Sequence, residues 1–123
     1  MASGINYLDR QADMIFNVLV KKEGSLHVAH CLELDIVTAS PDMKQLEKDM
    51  IDLIHTQIDY AFSHDNLENL YHPAPAEVWE AFFKCKKQME IKHKIEPAFE
   101  ENQKKFVPPW FTTRICDISS LNA

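Results

Sequence analysis

At 123 residues, 46% hydrophobic and 26% charged, the chain has the size and composition of one globular domain that buries a core without staples. A formal net charge of −6 argues against a surface that binds phosphate throughout, and no run approaches the roughly 18 consecutive apolar residues of a membrane span. Cys31, Cys85 and Cys116 are too scattered for a metal motif and odd in number for a disulfide framework. With no signal-like segment over residues 1–10, they read as reduced thiols of a cytoplasmic protein.

In chain order, residues 14–21 alternate as a strand does, with Ile15 and Leu19 on one face and Phe16, Val18 and Val20 on the other. Glu23-Gly24-Ser25 supplies a tight turn, and residues 26–31 and 35–39 follow as two short strands. A helix opens at Ser40-Pro41-Asp42, where Ser40 caps an orphan N–H, Pro41 fits the first turn and Asp42 complements the dipole. It runs to about residue 62. Met43, Leu46, Met50, Ile54, Ile58 and Ala61 form its apolar stripe, while Lys44, Lys48, Asp49, Asp52 and Asp59 face outward.

Pro75 starts a second helix with Val78, Trp79, Phe82 and Phe83 on one face, expected to reach the low nineties before Pro97 interrupts it. A short helix is expected over 98–105, and 110–118 reads as a final strand after Val107-Pro108-Pro109. The expectation is an α+β, two-layer fold, β-β-β-α-α-β, with a mostly antiparallel sheet of three to four strands packed on the long helix. It forms one domain over 1–123, with a core at 14–66 and an extension at 67–118.

Over residues 16–58 the chain resembles the HicB-like antitoxin family. An acidic-glycine turn, Glu23-Gly24, precedes the phrase Cys31-Leu32-Glu33-Leu34-Asp35-Ile36, then Thr38 and the helix start Ser40-Pro41-Asp42. The family favours Gly where Ser40 stands and Ala where Leu46 stands. The resemblance implies a compact module that dimerises and holds a protein partner, typically a small basic RNase toxin. It also implies a C-terminal ribbon-helix-helix or helix-turn-helix, and neither is read after residue 67. The core is also similar to a trimmed RNase H fold, whose two-metal chemistry needs a carboxylate cluster; here Asp35 and Asp117 alone sit near strand ends.

Strand and helix geometry bears on the remaining constellations. His27 and Cys31 share a strand face and His30 points the other way, so the three do not converge on zinc. Cys85 lies among Lys84, Lys86 and Lys87, which would activate a thiol, although a half-buried helix cysteine is the plainer account. Residues 84–105 hold seven Lys against four Glu, a net of +3 that leaves −9 for the remainder. That stretch reads as a solvated face, with DNA binding weak or absent.

The expectation is therefore a non-enzymatic binding module with no metal and no cofactor, a homodimer or dimer of dimers. Its acidic first half suits a basic partner. Candidate interface residues are Val18, Val20, His30, Glu33, Asp35, Trp79 and Phe83, with an unpaired strand edge near Val18 and Val20. A structural homo-oligomer, or a small enzyme using Cys31 or the histidines, is the alternative.

Overall fold

The computed structural model describes residues 13–94 and 110–119. In chain order the elements are β1 (Asp13–Glu23), β2 (Leu26–Cys31), β3 (Ile36–Ser40), α1 (Met43–Ser63), a 3-10 turn (Leu67–Asn69), α2 (Ala76–Phe83), β4 (Met89–Lys94) and β5 (Trp110–Asp117). The strands form one mixed sheet in the order β3-β2-β1-β5-β4, and the fold class is α+β. The expected helix over 98–105 lies outside the described residues. Among those described, no helix is long and apolar enough to cross a membrane.

Gly24 makes the β1–β2 hairpin. It takes φ 62 at the first of the two loop positions between Glu23 and Leu26, where a primed turn needs positive φ. A Cβ there would meet nothing within 4 Å, so the demand is on backbone conformation and not on space. β2 and β3 then pair antiparallel, with Ala29 opposite Thr38 and His30 opposite Val37. β5 does not sit at a rim. It runs parallel to β1, Asp13 facing Trp110 and Val20 facing Asp117, so the last segment of the chain completes the middle of the sheet.

α1 covers one face. Phe16, Val18 and Val20 of β1, with Ala29, Cys31, Phe111 and Ile115, pack against Leu46, Met50, Ile54, Ile58 and Ala61. The apolar stripe expected of the helix is the stripe it buries, apart from Met43, which is partly buried. Thr113 is a buried polar residue on this face, satisfied by His93 Nε2 at 3.0 Å from its hydroxyl. Burial holds the His93 imidazole below its ordinary pKa. The helix begins later than the sequence suggests. Asp42 is the cap, its carboxylate accepting from Lys44 N at 3.3 Å, while buried Ser40 accepts from Asp42 N at 3.1 Å.

α2 lies on the opposite face, where Phe82 and Ala74 pack with Leu19, Leu32 and Cys116. It stops at Phe83 and does not reach the low nineties. Met89–Lys94 pairs antiparallel with β5, sending Met89, Ile91 and His93 to the α1 side and Glu90, Lys92 and Lys94 to the other. The strand prevails because β5 offers a ladder and the segment alternates with period two. The reading of three reduced thiols is also corrected. Cys85, just past α2, is bonded to Cys116 of β5 and ties the short helix to the sheet, leaving Cys31 as the free cysteine.

Two outcomes check this packing. Ile54 is 0% exposed, and full burial of such a side chain contributes roughly 1.5–3 kcal/mol. Ile54→Asp adds an unpaired buried charge, so the variant should show no cooperative melt; a parent-like transition would contradict the α1 packing. Thiol titration in denaturant should give one reactive thiol per chain before reduction and three after it. Cys85→Ser should lower stability by roughly 3–4 kcal/mol for a loop of this length.

Candidate functional site

The Cys31–Ile36 phrase is bound into the sheet by its own backbone. Leu32 N donates to Asn17 O at 2.8 Å, Ala74 N to Leu32 O at 2.7 Å, and His72 N to Glu33 O at 2.9 Å. Leu32 is thereby buried on the α2 face, and Leu34 in the α1 core. Glu33 stands where a strand partner would be. Its Oε1 accepts from Asn17 N at 2.7 Å and its Oε2 from Asn17 Nδ2. Burial raises the Glu33 pKa, and the Asn17 bonds and the Arg114 charge offset this only in part. The Tyr71 phenol is pushed up by burial first and then by the Glu33 charge.

The remaining groups of the phrase are similarly engaged. Asp35 takes φ 54, a left-handed conformation that Asp tolerates, and its Oδ1 lies 2.6 Å from His30 Nε2. Cys31 is 0% exposed, and burial pushes its thiol up to about 12, which leaves almost no thiolate near neutrality. His30 faces α2 while Cys31 faces α1, as strand alternation requires. Among the described residues no group of three or more His, Cys, Asp or Glu is placed to hold a metal ion.

Two of the expected interface residues are elsewhere. Val18 and Val20 are 2% and 1% exposed beneath α1, because β1 is the central strand and not an edge. Trp79 is half-buried and Phe83 is 69% exposed, their ring centroids 5.8 Å apart, so this pair does reach the surface. The lysine-rich stretch contributes β4, where Lys92 Nζ sits 5.7 Å from the Trp110 ring centroid and Arg114 Nε bonds Glu90 at 2.8 Å.

Among the described residues the sheet ends at β3 on one side and at β4 on the other. Around β3 the surface is hollowed on both faces. On the α2 side a groove of about 400 Å³ is walled by Leu19, Val28, Val37, Val78, Ala81 and Ile118, with Lys21, Glu23, His30 and Glu77 also lining it. On the α1 side a hollow of about 310 Å³ is lined by Thr38, Asp49, Asp52, Leu53 and Thr56. His30 is the one expected interface residue that lines either space, and Asp35 reaches the groove only through its bond to His30. Val37 and Thr38, in a strand the sequence does indicate, are not among the interface residues it suggests. The signal was present: in Ile36-Val37-Thr38-Ala39-Ser40 no residue is charged and none is proline, the two usual guards of an edge strand.

No protein-family model, no curated protein and no solved structure matches this chain.

The Glu33 geometry has a consequence for pH. A carboxyl with a raised folded pKa binds its proton more tightly in the fold. Its stabilisation is complete below the ordinary value of 4.5 and is lost as the pH rises through the raised value. Glu33→Gln mimics the protonated form, and the unpartnered buried Asn17 Oδ1 can turn to accept from the new amide. At pH 7 the variant should be at least as stable as the parent. Relative to it, the parent should gain stability in denaturant titrations from pH 8 down to pH 4. A difference that does not vary with pH would contradict this account.

Proposed function

We propose that the chain is a non-enzymatic binding module of HicB-like architecture that acts by protein–protein contact on a small basic protein, in the manner of an antitoxin on an RNase toxin. The observation that carries this reading is the uncharged β3 edge set beside the carboxylates Asp49 and Asp52. Edge backbone groups offer hydrogen bonds to a partner, and the carboxylates select a basic one. The net charge of −6 strengthens the long-range attraction. A nucleophilic role for Cys31 has little support, since its thiol is buried and held protonated. The resemblance implies a homodimer as well. The Trp79–Phe83 surface suits that contact better than an edge bearing Val18 and Val20, which are core residues.

The test is an RNA-cleavage assay with the product of a short basic reading frame adjacent to this gene. Stoichiometric addition of the purified chain should abolish cleavage, and the two should co-migrate in sedimentation. Uninhibited cleavage with no complex at micromolar concentrations would reject the reading.

A further inference from the structure

We infer that β3 is a strand-addition site that takes an extended segment with aliphatic and basic residues in strict alternation; this rests on, and deepens, the binding reading above. Pleat geometry fixes where an added strand's side chains go. In any added strand, successive side chains point to opposite faces, and each lies beside the β3 residue it pairs with. Val37 and Ala39 are exposed on the α2 side, whereas Ile36, Thr38 and Ser40 face α1. Residues paired with Val37 and Ala39 would therefore enter the aliphatic groove, whose walls include Val28, Val78 and Ala81. Those paired with Ile36 and Thr38 would stand over the hollow lined by Asp49, Asp52 and Leu53. One face of the occupant thus meets a groove that is mainly aliphatic, with Lys21, Glu23, His30 and Glu77 also lining it, and the other meets two carboxylates and no basic side chain.

Charge complementarity decides which occupant this is. A second copy of β3 carries no basic residue, and pairing edge to edge would bring two Asp49–Asp52 rows together. β4 has the wrong register of charge for the groove, since Lys92 and Lys94 share one face with Glu90. A segment of about five residues, basic at the positions facing α1 and aliphatic at those between, satisfies both hollows. Asp49 already accepts from Gln45 Nε2 at 2.8 Å, so its carboxylate is held in place next to the edge.

The probe is a blocked heptapeptide, Gly-Lys-Val-Arg-Val-Lys-Gly, compared with Gly-Lys-Lys-Arg-Val-Val-Gly of the same composition and with Gly-Glu-Val-Glu-Val-Glu-Gly. The intact chain should bind the alternating basic peptide at least about tenfold more tightly than either control. Amide exchange at β3 positions not bonded to β2 should slow on its addition. The double variant Asp49→Lys, Asp52→Lys, altered at surface positions of α1, should lose about tenfold in affinity while keeping the parent's circular dichroism. Equal affinity for the first two peptides, unchanged exchange at β3, or undiminished binding by the double variant would overturn the proposal. So would β3 protection in a dimer without peptide. A basic ribonuclease neutralised with β3 exchange unaltered would overturn this docking mode and leave the binding reading standing. A peptide that docks on β3 when no basic protein partner is found would support the docking mode and remove the antitoxin-type reading.

Discussion

The parallel pairing of β1 with β5 is the constraint on which the rest of the structure depends. It joins the β1–β2–β3 meander to the β4–β5 pair, two units that neither turn chemistry nor proximity in sequence would bring together. Parallel strands need cover on both faces, and both are supplied. Phe16, Val18 and Val20 lie with Phe111, Thr113 and Ile115 on the α1 side, while Leu19 and Cys116 lie under α2. The Cys85–Cys116 bond holds the short helix at this junction. An eight-residue helix is too short to be stable alone, so its position depends on that bond and on Phe82.

Once β1 is central, the two outer strands differ in kind. β4 carries Lys92 and Lys94, the type of charge that discourages edge pairing, and Lys92 leans over Trp110. β3 carries no charge at all, and in the proposed docking mode its surroundings supply the discrimination. The hairpin turn at Gly24 and the Glu33–Asn17 clamp set the register that places Val37 over the groove and Thr38 beside Asp49. The Cys31–Ile36 phrase therefore serves the edge indirectly, through position. Its charged groups face Asn17 and His30.

Much of this fold was legible in the sequence, for physical reasons that differ by element. The meander and α1 each bury one face, and a one-sided environment writes its period directly into the residues; Leu46, Met50, Ile54 and Ile58 are the clear case. α2 and β4 were harder because the apolar residues of Val78–Phe83 run into a lysine cluster, which hid the change from helical period to the period-two pattern of Met89–Lys94. The disulfide was not legible. Cys85 and Cys116 are 31 residues apart and meet only because β5 enters the middle of the sheet. The candidate edge was missed for the same reason. Val18 and Val20 look like edge residues until β5 is placed next to them, and only then is β3 an outer strand with no partner beyond it among the described residues.

An uncharged edge strand is ordinarily a hazard, because any extended chain can extend the sheet there. In this chain the negative charge is placed next to the strand and not on it. Asp49 and Asp52 line one hollow with Thr38, and among the described residues no strand pairs with the outer side of β3. In the proposed docking mode, repulsion of the wrong occupant and attraction of the right one come from the same two carboxylates, the economical form of specificity. On β3 itself a charge at Ile36 or Ser40 would be buried against the α1 side, where desolvation is costly, whereas Val37 and Ala39 are exposed. The outer face of α1 carries the charge at Asp49 and Asp52, beside the edge and not on it, so the exposed Val37 and Ala39 stay apolar.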